Sequence, residues 1–326
     1  MIDTYLTNIT PDSVSGLLFG FEGIKNTVVL LNGPTGCKFY HSATSDNQML
    51  RQQEFDPLNY PELWYFGQPR IPCTFLDKRD YVYGSKEKLT EAVRFLRENL
   101  RFDLLVVVNA PGAALIGDDL SQIVAAESGD TPVITVETPG YSHHIWEGYS
   151  YACLSVVEML AGSWGRAKRV REMKRVNILG LSIFHKYYEG DLLELRRLLH
   201  LCRIEVNCAL CCECSLDEIR KLPQADLNIV LDPAYGLPAA EKLAELYKTP
   251  YLLCDGLPVG FSAAEQLLSQ LCDRLNADGG SFVTESEKSR ARAYIYLSRL
   301  NSLTGLPKGA KFAVQGTAAQ CLGYCR

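Results

Sequence analysis

The stretch Leu31-Asn32-Gly33-Pro34-Thr35-Gly36-Cys37-Lys38-Phe39-Tyr40-His41 decides how the chain reads. It follows Thr27-Val28-Val29-Leu30-Leu31, an unbroken apolar run with the character of a parallel strand buried on both faces. Gly33 and Gly36 therefore fall where a strand turns into a helix, and Cys37 falls at the start of that helix. Helix N-termini favour thiolate, the form that ligates metal or attacks an electrophile. Cys37 reads equally as a small buried residue of an ordinary turn, because cysteine is among the most buried residue types.

Outward from this turn, strands and helices alternate to about Gly165, the pattern of a parallel α/β sheet. Phe55 to Thr74 is irregular, aromatic and Pro-containing, long for a structureless loop and so a candidate binding or interface element. Ser85-Lys86-Glu87-Lys88 opens a helix carrying Leu89, Val93, Leu96 and Leu100 at helical spacing. Leu104 to Val108 is an apolar strand ending in Asn109-Ala110-Pro111-Gly112, and the next helix starts near Asp118 and Asp119. Pro132 to Val136 runs into Thr138-Pro139-Gly140-Tyr141, a loop followed by His143, His144 and Trp146. The basic stretch Arg166 to Arg175 reads as a solvated linker.

A second α/β unit follows, with strands Val176 to Leu181, Ile204 to Asn207, Leu227 to Leu231 and Tyr251 to Cys254. Asp191 reads as the cap of a helix whose Leu192, Leu195, Leu198 and Leu199 share a face. Ser215 to Glu218 and Ser262 to Glu265 read as capping boxes, and Thr284 to Glu287 as the cap of a long helix. Lys311 to Val314 reads as one more strand. These landmarks set expected domains at 1–166, 167–280 and 281–326, the last a connecting helix and the opening of a truncated third domain.

The chain has 326 residues, 47% of them hydrophobic and 22% charged, enough for two domains and a further fragment. A formal net charge of −5 gives no global reason to expect nucleic acid or an anionic membrane as a partner. Met1-Ile2-Asp3-Thr4 lacks the features of a signal peptide, and no stretch approaches the ~18 apolar residues of a membrane span. The expected location is the cytoplasm. Twelve cysteines in a reducing compartment then imply buried thiols, or metal and Fe–S ligands, rather than structural disulfides.

Three chemistries compete. Gly33 to Lys38 lacks the spacing of a phosphate loop and of a dinucleotide fingerprint, which argues against nucleotide binding. Cys37 and His41 stand four apart, on one helix face, yet nothing in the sequence places an oxyanion-hole donor. Metal binding is the third. Cys208, Cys211, Cys212 and Cys214 lie on one strand-to-helix loop with a CxxC step, which suits a metal or cluster, and suits equally a buried strand end with incidental thiols. Cys73 is isolated in sequence and matters only if the fold brings it to Cys37. The His143-His144 pair is poor geometry for a shared metal.

Taken in order, these motifs resemble the nitrogenase component 1 superfamily, over nearly the whole chain. Gly33-Pro34-Thr35-Gly36-Cys37 is similar to that family's glycine-proline-x-glycine-cysteine cluster loop. Asp80 to Leu89 resembles its valine-phenylalanine-glycine-glycine segment, Leu115-Ile116-Gly117-Asp118-Asp119 its isoleucine-glycine-aspartate-aspartate motif, and Thr138-Pro139-Gly140-Tyr141 its Pro/Gly-aromatic loop. The resemblance implies repeated Rossmann-like, doubly wound parallel-sheet domains. Of the three cysteines around the catalytic subunits' interface cluster only Cys37 matches, the others falling near Ser15 and at Ala110. The cysteine that anchors the active-site cofactor would fall at Asp232, so no iron–molybdenum cofactor is expected.

What the resemblance leaves is Cys37, with Cys73, as two thiolates per chain of a [4Fe-4S] cluster shared across a symmetric dimer. Gly33, Pro34, Gly36, Ala110 and Gly112 would line that cofactor site. The implied partners are an iron protein-like reductase, which alone binds ATP, and a second component 1-like chain, identical or not. The implied activity is reduction of a substrate by a nitrogenase-like oxidoreductase. A noncatalytic scaffold for cluster or tetrapyrrole assembly is the alternative.

Overall fold

The computed structural model describes residues 12–37, 71–137, 143–161, 173–304, 311 and 313–325. These form two compact units: Met1–Trp164 with Leu181–Tyr188 and Ala209–Arg220, and Gly165–Gly180 with Glu189–Cys208 and Lys221–Arg326.

The first unit is built on a three-stranded sheet in the order β1 (Thr27–Asn32), β2 (Leu104–Asn109), β3 (Val133–Val136), with both pairings parallel. All six residues of β2 are buried, which is why its sequence shows no polar alternation. One face of the sheet packs Leu30, Leu105 and Val107 against Leu89, Val93 and Leu96 of the helix Lys86–Asn99 and Leu120, Ile123 and Val124 of the helix Leu120–Ser128. Leu100, expected on that face, lies beyond the helix end and is exposed. Asp119 caps the second of these helices, accepting the Gln122 N–H, whereas Asp118 turns away to Ser85.

The helices Ser13–Glu22 and Ile145–Ala161 pack closely, because Gly16 and Gly148 present bare backbone where each helix meets the other's carbonyls, Gly16 at Ile145 O and Gly148 at Ser13 O. Deep in this packing the Tyr149 hydroxyl shares its one proton between Leu181 O at 2.8 Å and Cys211 O at 3.0 Å. These bonds draw two segments that are distant in sequence into the first unit.

The second unit holds a four-stranded sheet in the order β5 (Ile204–Ala209), β4 (Lys174–Leu179), β6 (Leu227–Val230), β7 (Tyr251–Leu253), with β4, β6 and β7 parallel. Asn207, Asn177 and Asn228 bond side chain to side chain at 2.7 Å, an amide ladder inside an otherwise apolar sheet. Asp232 caps the helix Pro233–Tyr247 through the Ala234 N–H and also accepts the Thr317 hydroxyl at 2.6 Å.

Several sequence expectations change. Ser215 and Glu218 do form a reciprocal capping box. Asp191, Ser262 and Thr284 lie inside helices that start earlier, at Tyr188, Gly260 and Gly280. Glu265 is spent on tertiary bonds, to Ser286 and to Arg290 at 2.6 Å, so it does not reach back to a cap. Lys311 to Val314 forms no strand among its described residues. Cys208 sits within β5 rather than on the loop after it. Among the described residues, no helix is long and apolar enough to cross a membrane.

Candidate functional site

The carboxyl ends of β1 and β2 lie side by side, with Asn32 and Asn109 in register. Beyond Asn32 the chain enters a helical turn over residues 35–37, where the Cys37 N–H donates to Pro34 O at 3.1 Å. Gly33 is buried against Ala110, and a Cβ on it would lie 2.6 Å from the Ala110 Cβ. Pro34 is half-buried and Gly36 exposed, with open space about it.

Residues 71–76 run beside β1. Leu31 N–H donates to Pro72 O, Thr74 N–H to Leu31 O, and Leu76 N–H to Gly33 O. This places Cys73 on the loop that carries Cys37: its Sγ lies 3.0 Å from Gly33 O and accepts the Phe75 N–H at 3.4 Å. Tyr81 lies against Gly112, where a Cβ would come within 3.1 Å of its hydroxyl. Burial, and then the Cys37 and Cys73 sulfurs, push the Tyr81 phenol above its ordinary pKa. Lys88 fixes the segment after Cys73, reaching Phe75 O at 2.9 Å, Asp80 at 2.6 Å and Asp77 at 3.2 Å. Its pKa is raised chiefly by the bond to Asp80.

Cys37, Cys73, Gly33, Ala110 and Gly112 thus share one sheet end. The remaining cysteines are arranged otherwise. Cys211, Cys212 and Cys214 are buried in the first unit, and the Cys214 N–H bonds Gly23 O at 3.2 Å. With Cys153 they surround Tyr149, whose phenol is held well above its ordinary pKa, first by burial and then by these sulfurs. Cys208 belongs to the second unit. None of the twelve cysteines is in a disulfide. Among the described residues, no group of three or more His, Cys, Asp or Glu is arranged to hold a metal ion. Two thiols, Cys37 and Cys73, are therefore what one chain offers at the sheet end.

His144 stacks on Trp146 with ring centroids 4.3 Å apart, and His143 Nδ1 lies 3.4 Å from Glu147. Both histidines thus have local partners. The Thr138–Tyr141 loop, His41, residues 55–70 and Arg166 to Arg171 of the basic stretch lie outside the described residues.

The sequence reading missed Asn32, Thr74, Ser85 and Asp118, which bond one another beneath the Gly33 loop. The only hint was an asparagine ending each of two adjacent apolar strands.

The fold and this site define a parallel-sheet α/β protein of repeated Rossmann-like units, with a glycine-cysteine turn at a strand's carboxyl end. A family model for nitrogenase component 1 type oxidoreductases matches residues 14–326, and the chain belongs to that family. It is 28% identical over 225 residues to a subunit of the light-independent protochlorophyllide reductase of Bradyrhizobium sp. (strain BTAi1), covering 68% of this chain and 43% of the relative. It is 27% identical over 263 residues to the corresponding subunit from Methylobacterium radiotolerans, covering 80% and 48%. The chain therefore spans less than half the length of these curated relatives. A solved structure titled "Nitrogenase Cp1 at pH 5" superposes with a TM-score of 0.68 at 20% identity, over 89% of this chain and 56% of that one, and carries the fold alone.

Proposed function

We propose that the chain is a subunit of a nitrogenase-like oxidoreductase whose Gly33 turn and Cys73 segment hold half of a [4Fe-4S] cluster. The observation that carries this reading is the bond between Cys73 Sγ and Gly33 O, on the turn that bears Cys37. The donor set fits such a group. Two thiols stand at a strand's carboxyl end, the place where doubly wound sheets take ligands. One of them already accepts a backbone N–H, the kind of bond that tunes cluster potentials. Gly33 and Gly112 let the Ala110 and Tyr81 side chains pack directly against the backbone of this sheet end.

Cys37 and Cys73 would ligate as thiolates, so the Cys73 S–H proton leaves and its bond to Gly33 O is released on loading. A second chain, identical or component 1-like, supplies the other two thiolates. The bound cluster supplies one-electron transfer. Electrons come from a separate iron protein-like reductase that binds and hydrolyses the ATP. The names of the relatives make a conjugated tetrapyrrole the first substrate to test.

Anaerobic reconstitution with iron and sulfide tests the reading. About two iron atoms per chain and a [4Fe-4S] EPR signal on reduction are expected, with Cys37→Ser and Cys73→Ser each losing most of the iron. Full occupancy in Cys37→Ser overturns it. Substrate turnover with the reductase and ATP identifies an enzyme, whereas release of cluster or tetrapyrrole to an acceptor without turnover identifies a scaffold.

A further inference from the structure

Beneath the Gly33 turn runs a directed chain of hydrogen bonds. The Gly33 N–H donates to Thr74 Oγ1 at 3.0 Å, and the Thr74 hydroxyl donates to Asn32 Oδ1 at 2.8 Å. The Asn32 amide donates to Ser85 Oγ at 3.2 Å and, with its other proton, to Asn109 Oδ1 at 2.8 Å. The Ser85 hydroxyl donates to Asp118 Oδ2 at 2.9 Å, and so does the Ser85 N–H. Each hydroxyl has one proton and each is committed, so the chain has a single polarity and ends on a carboxylate. Asn32, Thr74, Ser85 and Asn109 are all buried. In this low-dielectric setting successive bonds polarise one another, and a charged terminal acceptor strengthens them. Asp118 sits against Gly84, whose φ of +105° and short clearance to Oδ1, 3.2 Å for an added Cβ, admit no side chain.

The upper end of this chain meets both candidate thiols. Thr74 follows Cys73 directly; Gly33 gives its N–H, in the Asn32–Gly33 peptide, to Thr74, while its C=O, in the Gly33–Pro34 peptide, accepts from Cys73 Sγ and from the Leu76 N–H. Gly33 also leads into the turn of Cys37. Loss of the Thr74 hydroxyl would leave the Gly33 N–H and Asn32 Oδ1 unsatisfied and loosen the Asn32–Gly33 peptide, whose C=O still accepts the Ala110 N–H at 2.8 Å.

We propose that Thr74, Asn32, Ser85 and Asp118 are positioning residues for Cys37 and Cys73, holding the Gly33 backbone in the conformation that sets the placement and reactivity of both thiols. The proposal deepens the cluster reading and rests on it for its purpose, yet its test runs on the chain without metal. The rates at which iodoacetamide labels Cys37, Cys73 and the half-buried Cys272 are followed by mass spectrometry in wild type, Thr74→Val, Thr74→Ser and Asp118→Asn. Thr74→Val keeps the volume and removes the hydroxyl. The expected result is a change of at least about tenfold at Cys73, and a smaller one at Cys37, in Thr74→Val and Asp118→Asn. Cys272 stays within twofold, and Thr74→Ser restores the wild-type rates. Unchanged Cys73 and Cys37 labelling in both variants overturns the proposal, as does a change that Cys272 shares, since that reports general loosening. In the reconstituted protein the same variants should alter the EPR line shape and midpoint potential while keeping the iron. A wild-type chain that takes up no iron defeats the cluster reading and leaves the labelling result to decide this one.

Discussion

Cys73 Sγ lies 3.0 Å from the carbonyl oxygen of Gly33, forty residues earlier in the chain. That contact joins an isolated cysteine to the glycine turn of Cys37, and it depends on the 71–76 segment running beside β1. Variants that disturb the turn should therefore be felt at both thiols.

Gly33→Ala places a methyl group 2.6 Å from the Ala110 Cβ, between two buried backbones that have little room to part. The expected destabilisation is about 1–3 kcal/mol by urea denaturation, the usual range for overpacking. Ala110→Gly on the same chain should recover at least half of it. An additive double variant would show that the strain lies elsewhere.

Tyr149→Phe removes the hydroxyl that bonds Leu181 O and Cys211 O in a fully buried site. A loss of about 1–3 kcal/mol is expected. Amide hydrogen exchange should quicken in 181–188 and 209–220, the two segments that bond ties into the first unit. Unchanged exchange there would assign the tyrosine to packing alone.

His185 is 6% exposed, and burial holds its pKa down, from 6.5 to about 4. Below pH 6.5 the unfolded chain takes up a proton that the folded chain refuses, so stability is complete above that pH and falls as pH drops towards 4. The full effect is about 3 kcal/mol at 1.36 kcal/mol per pH unit. Denaturation midpoints measured from pH 7 to 4 should show this slope, and His185→Asn should flatten it.

Cys202 and Cys254 are pushed up to about 12 in pKa, each first by burial, with Cys272 adding to the effect at Cys202 and Asp255 at Cys254. At pH 8 roughly one part in ten thousand of each is thiolate. Iodoacetamide should label the exposed Cys325 at least about 100-fold faster than either. Comparable rates would mean that the surroundings of Cys202 and Cys254 open readily.

Much of the fold was legible because its signals are local. Leu104 to Val108 read as an apolar strand, Leu89, Val93 and Leu96 as one helix face, and Ser215 with Glu218 as a capping box closed within one turn, and the structure has all three. Ser262 and Thr284 do not cap because their helices start earlier, at Gly260 and Gly280; Glu265 meets Ser286 and Arg290, partners that its own helix does not contain, and the Thr284 hydroxyl bonds Gly280 O. The run Lys311 to Val314 has strand-like composition, but composition does not supply the neighbour a strand must pair with.

The site divides the same way. The sequence by itself determined the glycine turn and the place of Cys37 at a helix start, which rest on residues adjacent in the chain, and the family, which rests on short motifs recurring in order. Tertiary structure alone decided that Cys73 joins that turn while Cys208 to Cys214 divide between two units, and that Asn32, Thr74, Ser85 and Asp118 form one directed chain. The physical reason is the parallel crossover. It brings segments 41 to 77 residues apart to one sheet end, where a buried polar group must find its partner across the fold because water does not reach it.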